Sequence, residues 1–196
     1  MQLKAGFSVL LALTGVIFTP FAQAHVVKTE TMGLISGLVH PLTGADHVLA
    51  AIAVGIWATI SGGSHARSII TAFLGMLGLG AIAGFAGISL ALVEPVIALS
   101  VIAMGLLIVL RVSPTRMVAP AVAGGFSVFH GYAHAAGLPV MASSVWYLLG
   151  LLMATAFLLG SGVALGRWLA KSESRIPMGL AGVLVALLGS MLLVTA

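Results

Sequence analysis

Six apolar segments of about 20 residues alternate with short polar breaks along this chain. They lie at 33–60, 68–88, 93–110, 117–136, 144–166 and 176–195. A helix needs roughly 20 apolar residues to cross a bilayer. In hydrocarbon every backbone polar group must be paired within the protein, and a helix does this within one segment. The pattern therefore predicts an all-α fold, a polytopic membrane helix bundle with six transmembrane helices.

Turn residues and charges mark the breaks between these segments. Three breaks carry arginine, at Ser61 to Arg67, Arg111 to Arg116 and Arg167 to Arg175. Glu94-Pro95 opens the third predicted span, and Gly137-Leu138-Pro139 ends the fourth. Pro and Gly interrupt helices because Pro lacks a backbone donor and Gly tolerates conformations that other residues avoid.

The first 24 residues have the pattern of a secretory signal peptide. Lys4 precedes a short apolar stretch at 6–18, Pro20 interrupts it, and Ala22-Gln23-Ala24 supplies a cleavage signal of small residues. We therefore predict a signal peptide at 1–24 and a six-helix transmembrane domain at 25–196, with the mature chain beginning at His25. The alternative is an uncleaved first span.

The distribution of basic residues predicts the orientation independently. With the mature N-terminus outside, the three arginine-bearing breaks lie in the cytoplasm and only Lys28 lies outside. The cytoplasmic set is Arg67, Arg111, Arg116, Arg167, Lys171 and Arg175. This asymmetry follows the positive-inside rule. We expect a multi-pass protein of the bacterial inner membrane with a periplasmic mature N-terminus.

Composition excludes several classes of function. Hydrophobic residues make up 61% of the 196 residues and charged residues 6%, with mean hydropathy +1.24. Soluble domains carry about a quarter charged residues, so the main partner of this surface is the lipid bilayer. The net charge of +4 reflects cations near span ends and does not indicate nucleic-acid binding. Cysteine is absent, which excludes disulfides, iron–sulfur clusters and thiolate metal sites.

Glycine pairs indicate close helix contacts. Gly33-x-x-x-Gly37, Gly80-x-x-x-Gly84 and Gly162-x-x-x-Gly166 have the spacing that lets helix backbones approach each other in membranes. This pattern predicts a closely packed helix bundle and does not indicate any binding or catalytic site.

The ionisable residues inside the apolar segments form two groups. His40, Asp46 and His47 lie in the first segment, and His130 and His134 lie in the fourth. Such residues are costly in a membrane and mark functional sites by default. Alternating topology places both groups in the outer half of the membrane, so they can converge if the helices are neighbours.

Spacing supports a shared site. His130 and His134 are four residues apart and lie on one helix face, while His40 and His47 are seven apart, nearly two turns. Pro41 and Gly44 lie between the latter two, so we predict a helix break there that directs carbonyls and side chains into a cavity.

Imidazole and carboxylate without sulfur suit nickel, cobalt, zinc or copper(II) better than magnesium or calcium. The predicted metal ligands are His40, Asp46, His47, His130 and His134. Asp46 acts either as a direct ligand or as an acceptor that orients a ligating histidine. His25, as mature N-terminal residue, and Glu94, near the outer end of the third span, are secondary candidates. A structural hydrogen-bond network is the alternative interpretation.

The chain resembles the HupE/UreJ family of nickel permeases associated with hydrogenase and urease maturation. The family's first signature, His-Pro-x-x-Gly-x-Asp-His, is matched in full by His40, Pro41, Gly44, Asp46 and His47. The second signature, Phe-His-Gly-x-Ala-His-Gly-x-Glu, is matched by Phe129, His130, Gly131, Ala133 and His134. Ala135 replaces the following Gly, and Gly137 stands where the family has Glu. One carboxylate fewer implies weaker binding of a dication.

We therefore expect a secondary permease with no permanently bound cofactor, which imports Ni²⁺, or alternatively Co²⁺ or Cu²⁺, through the outer-half site. The resemblance implies metallocentre maturation proteins as partners. We expect no enzyme activity, because no Walker-type phosphate loop and no His-Glu-x-x-His motif occur and Ser161 has no evident histidine partner. The alternatives are a non-transporting metal sensor or assembly protein and a b-type haem protein.

Overall fold

The computed structural model describes residues 29–135, 138 and 142–195, and within these ranges the chain forms seven α-helices and no strand. The helices are α1 Thr29–Thr43, α2 Ala45–Ser61, α3 Gly63–Phe85, α4 Val93–Val109, α5 Val118–Ala135, α6 Ser144–Leu169 and α7 Ile176–Thr195. The predicted signal peptide, His25 and Gly137 lie outside the described residues.

The helices identify an α-helical membrane protein. Helices α3, α6 and α7 are each long and apolar enough to cross a bilayer, and α1 and α2 meet the same test only as a bent pair. Helix α4 is apolar and shorter, with 17 residues. Three spans, or four with the bent pair, are therefore supported by length and composition, and the count of six stays a prediction.

The first predicted span, 33–60, is interrupted at Gly44 and forms two helices, α1 and α2. Helices α1 and α2 meet at Gly44 with a bend of 81°. Pro41 lies in the last turn of α1, where its ring nitrogen cannot donate to the preceding turn. Gly44 has an extended backbone, φ −87° and ψ 112°, and its carbonyl accepts the first hydrogen bond of α2 from Val48 N at 3.1 Å.

The predicted first cytoplasmic break, residues 61–67, is also shorter than expected. Only Gly62 separates α2 from α3, and its φ of 69° turns the chain sharply. The residues from Ser64 to Arg67 are helical, since none of them opposes helix formation once the turn is made. At the other end of the bundle, Val93 begins α4 as predicted, with Glu94-Pro95 in its first turn.

Helix α2 lies at the centre of the bundle. Ten of its 17 residues are buried, most of them Ala, Gly or Val. It contacts all the other helices except α5 closely, and α6 packs along both α1 and α2. The most extensive helix pair is α3 with α5, followed by α4 with α7. Small side chains let α2 be surrounded in this way.

The glycine pairs make the predicted close contacts. A Cβ atom at Gly37 would overlap the carbonyl of Tyr147, and one at Gly80 would overlap the carbonyl of Val128. Gly162 approaches the carbonyl of Ile52 in the same way. Helices α1 and then α2 contact α6 in the same chain order, α3 and α5 run in the same direction, and α4 and α7 run in opposite directions. These relative directions are the ones that alternating spans require.

The three arginine-bearing breaks lie together at one end of the bundle, which we call the arginine end. Arg116 Nε donates to His65 Nε2 at 3.1 Å, and Arg111 Nη2 donates to the carbonyl of Arg175 at 3.4 Å. Trp57 Nε1 donates to the carbonyl of Val112 at 2.8 Å and joins α2 to the same loops. The predicted topology assigns this end to the cytoplasm.

Candidate functional site

The break between α1 and α2 positions the first group of site residues. His40 lies in the last turn of α1, and its carbonyl accepts a hydrogen bond from Thr43 Oγ1 at 2.7 Å. Asp46 and His47 lie in the first turn of α2. Two helix ends therefore meet at the site, and the side chains of His40 and His47 approach it from different helices.

Helix α5 supplies the second group. His130 and His134 are four residues apart near its C-terminal end. Gly131, between them, lies so close to α3 that a Cβ there would overlap the carbonyl of Leu77. Helix α5 packs closely on α3 and α4, and its imidazoles reach inwards to His47. The two groups converge through their side chains, although α5 and α2 are not a closely packed pair.

The four imidazoles form one continuous row. The ring centroids of His40 and His134 are 5.1 Å apart, those of His134 and His47 are 4.3 Å apart, and those of His47 and His130 are 5.6 Å apart. Each pair meets edge to face. We call His40, His134, His47 and His130, in this order, the imidazole row.

The row is buried, and part of its hydrogen-bonding capacity is unused. His47 and His130 are each 1% exposed, His134 is 7% exposed and His40 is half-buried. The Nδ1 atoms of His47 and His134 are buried and have no hydrogen-bond partner among the described residues. Buried polar atoms are nearly always paired in native proteins, so these two ring nitrogens are available to a ligand or to an ordered water.

Two hydroxyl groups contact the row from helices that sequence reasoning did not connect with it. Thr155 Oγ1, on α6, lies 3.0 Å from His47 Nε2, and Ser100 Oγ, on α4, lies 2.9 Å from His130 Nε2. Both residues are buried. In the sequence, each of these residues is only a hydroxyl-bearing residue inside an apolar segment, and several other residues fit that description.

Two aromatic residues also border the row and were not predicted. The ring of Phe73 lies 6.4 Å from that of His130, and the ring of Tyr147 lies 6.3 Å from that of His40. Tyr147 donates its hydroxyl to the carbonyl of His134 at 2.8 Å, which ties α6 to the C-terminal end of α5.

Asp46 and Glu94 line a cavity of about 120 Å³ together with Thr195 and apolar residues of α4 and α7. Each carboxylate belongs to the first turn of its helix, α2 and α4 respectively. A helix N-terminus carries partial positive charge and favours a carboxylate there. Asp46 is half-buried and Glu94 is exposed, so the cavity joins the edge of the bundle to the start of α2.

The arrangement is a row and not a closed cage. Among the described residues, no three side chains of His, Asp or Glu surround a common point as ligands of one bound ion do. The candidate ligands meet in successive pairs along the row. Of the sequence-predicted residues, the structure brings together all four histidines, with Asp46 beside them and Glu94 across the cavity.

Comparison with known proteins assigns the chain to a family. Residues 11–192 match the sequence model described as HupE / UreJ protein. Protein HupE of Rhizobium leguminosarum bv. viciae is 37% identical over 182 residues, which cover 93% of this chain and 95% of that protein. No solved structure matches the chain. By both its family match and its relative, the chain belongs to the HupE/UreJ family.

Proposed function

We propose that this protein is a secondary permease that imports a divalent transition-metal ion across the inner membrane, nickel first, with cobalt and copper as alternatives. The imidazole row carries the proposal. It is buried in a membrane helix bundle, and two of its adjacent rings have unpaired nitrogens. Family membership supports the same function.

The chemistry of the row suits a borderline metal ion. Neutral imidazole is a good ligand for nickel, cobalt, zinc and copper(II), whereas magnesium and calcium prefer oxygen ligands. Since the sequence holds no cysteine, the row has no thiolate with which to retain a soft ion. Aligned imidazoles also let an ion exchange one ligand for the next as it moves.

The cavity beside the row supports an entry route for a cation. Four acidic residues occur in the whole sequence, and two of them, Asp46 and Glu94, line this cavity. Their charge attracts a dication before it loses water to the imidazoles. Gly137 stands where the family signature has Glu, so we assign a larger share of the attraction to Asp46 and Glu94.

The energetics allow import without ATP hydrolysis. Moving a dication into a cytoplasm at −100 mV is favourable by about 4.6 kcal/mol, twice the value for one charge. That corresponds to more than about a thousandfold accumulation at equilibrium. Conduction also requires binding weak enough for release, and successive pairs of ligands bind an ion less tightly than a cage of four.

The test is accumulation of radiolabelled nickel in cells that lack their own nickel importers, with cobalt and copper as competitors. We expect uptake by the wild type and loss of uptake in Asp46→Asn and His47→Ala. His65→Gln is the matched control, because His65 is half-buried at the arginine end, accepts a hydrogen bond from Arg116 and lies outside the row. Membrane levels of each variant are measured alongside.

If the wild type accumulates no metal above cells with an empty vector, the permease proposal is wrong. Nickel binding to the purified protein would then identify a non-transporting metal-binding protein. If His65→Gln abolishes uptake as fully as His47→Ala does, the row has no special role and the proposal fails on that ground.

A further inference from the structure

We propose that Thr155 and Ser100 are positioning residues that hold His47 and His130 as Nε2–H tautomers, leaving the Nδ1 lone pair of each ring to bind the metal ion. This inference deepens the proposed function and rests on it. It assigns a role to two hydroxyl groups that belong to neither family signature, and it specifies which nitrogen of each ring is the ligand atom.

The hydrogen bonds of Thr155 determine the direction of its contact with His47. Thr155 Oγ1 lies 2.8 Å from the carbonyl oxygen of Leu151. A carbonyl only accepts hydrogen bonds, so the hydroxyl proton is used there. The same Oγ1 then accepts from His47 Nε2 at 3.0 Å. His47 must therefore carry its proton on Nε2, and its Nδ1 is a lone pair.

Ser100 repeats the arrangement on another helix. Its hydroxyl lies 2.6 Å from the carbonyl oxygen of Ile97 and 2.9 Å from His130 Nε2. The same reasoning makes Ser100 Oγ an acceptor and His130 Nε2 a donor. Two rings of the row thus receive the same tautomer from two different helices, α6 and α4.

The unpaired nitrogens of the row support this assignment independently. In the opposite tautomer, Nδ1 of His47 would carry a proton in a buried position that has no acceptor among the described residues. An unpaired buried donor is costly, and no metal ion could relieve it. In the Nε2–H tautomer the same atom is a lone pair, adjacent to the His134 ring, whose Nδ1 is also unpaired.

A hydroxyl partner, in place of a carboxylate, suits a histidine that binds a transported ion and then releases it. Metal-ligating histidines usually donate their second N–H to a carboxylate, a backbone carbonyl or water, which fixes the tautomer, and a carboxylate also raises ligand basicity. A neutral hydroxyl fixes the tautomer without adding negative charge. We expect His47 and His130 to be well oriented and still to release the ion, as conduction requires.

The first test is nitrogen NMR of the purified, metal-free protein with ¹⁵N-labelled histidine. The chemical shifts distinguish Nε2–H from Nδ1–H rings, and comparison with His47→Gln and His130→Gln assigns the two rings. We expect Nε2–H for both in the wild type. In Thr155→Val, which keeps the shape and removes the hydroxyl, His47 should become a mixture of tautomers, while Thr155→Ser should retain Nε2–H. Ser100→Ala should affect His130 alone.

The second test is Co²⁺ binding, followed by its visible absorption. Loss of a residue that orients a ligating histidine lowers metal affinity about 10–100-fold, and we expect this for Thr155→Val and Ser100→Ala, with recovery in Thr155→Ser. Ser127→Ala is the matched control. Ser127 is equally buried and donates its hydroxyl to the Gly124 carbonyl of its own helix, with no hydrogen bond to an imidazole among the described residues, so affinity should not change.

An Nδ1–H tautomer for His47 and His130 in the wild type overturns the inference without any variant. So does Thr155→Val protein with unchanged spectra and unchanged Co²⁺ affinity. Failure of the wild type to transport nickel, with the Nε2–H tautomer observed, contradicts the permease proposal alone, because the tautomer is measured without metal.

Discussion

The two ends of the bundle contain histidine in opposite settings. At one end, His47 is 1% exposed, belongs to the imidazole row and has an unpaired ring nitrogen. At the arginine end, His65 is half-buried in the first turns of α3 and accepts a hydrogen bond from the exposed Arg116. The same side chain is therefore a fully buried, incompletely paired group in one place and a paired group near the bundle surface in the other.

This difference separates polar contacts that are complete within the protein from polar groups that remain available to a ligand. The contact between Arg116 and His65 joins a loop to the start of α3 at the bundle surface, and water can replace it at small cost. In the imidazole row, His47, His130 and His134 are almost wholly buried, so bulk water has little access to their rings. A bundle that keeps unpaired nitrogens in such a place gains from a ligand that completes them.

The largest difference between the two ends is expected when one imidazole is removed from each. His134→Ala takes out the ring that contacts both His40 and His47, and we expect nickel uptake to fall on the order of 100-fold. His65→Ala should stay within about twofold of wild type, because His65 contacts a surface arginine and lies outside the row. Uptake rates normalised to membrane protein check this, and equal losses would contradict it.

A second test moves the row without removing any imidazole. Gly131→Ala places a Cβ against the carbonyl of Leu77, which pushes α5 away from α3 and displaces His130 and His134. We expect a loss of about 1–3 kcal/mol in the free energy of unfolding, as for other overpacked contacts, and uptake reduced about tenfold or more.

The control for this substitution lies on the same helix. A Cβ at Gly125 meets no atom within 4 Å, so Gly125→Ala should leave uptake unchanged and stabilise α5 by about 0.5–1 kcal/mol. Denaturation of the purified proteins in detergent, followed by helical circular dichroism, measures both variants. If Gly131→Ala has wild-type stability and uptake, α5 does not pack against α3 through the close contact between Gly131 and Leu77.

A third, smaller effect is expected at the arginine end. Trp57→Phe keeps most of the buried ring and removes the hydrogen bond to the carbonyl of Val112. We expect about 1 kcal/mol of lost stability and unchanged uptake, since Trp57 lies away from the row. Unfolding in detergent and nickel uptake are the measurements. A selective loss of uptake at wild-type stability would extend the transport machinery to this end.

The smallest effect concerns the exposed contact between Arg116 and His65. Arg116→Gln removes a hydrogen bond between the exposed Arg116 and the half-buried His65, and the free energy of unfolding should stay within about 0.5 kcal/mol of wild type. Uptake should be unchanged at equal membrane levels. A large loss of stability would mean that the loops at this end hold the bundle together.

The sequence predicted the members of the imidazole row because histidines inside apolar segments are rare and easily recognised. It did not predict Thr155 or Ser100. Helix α6 also contains Ser161, which is half-buried and donates its hydroxyl to the carbonyl of Phe157 in its own helix. Residue type does not distinguish the two positions. In a membrane both the lipid-facing and the buried faces of a helix are apolar, so hydrophobic periodicity does not tell which face is buried.

The break in the first span illustrates a similar limit. Pro41 and Gly44 indicated where an interruption could occur, and the interruption lies at Gly44. The bend of 81° depends on how α1 packs against α6, through Gly37 and Tyr147. That contact joins residues 110 positions apart along the chain, so local sequence could predict the break and not its angle.

The central claim is that the imidazole row conducts a divalent metal ion, and purified protein in liposomes tests it most directly. With radiolabelled nickel outside and an inside-negative potential of about 100 mV, a dication is driven inwards by about 4.6 kcal/mol. We predict nickel accumulation with the wild type that collapses when the potential is removed, and accumulation near that of protein-free liposomes with His134→Ala. Wild-type protein that accumulates no more nickel than protein-free liposomes, or His134→Ala that matches the wild type, would contradict the account.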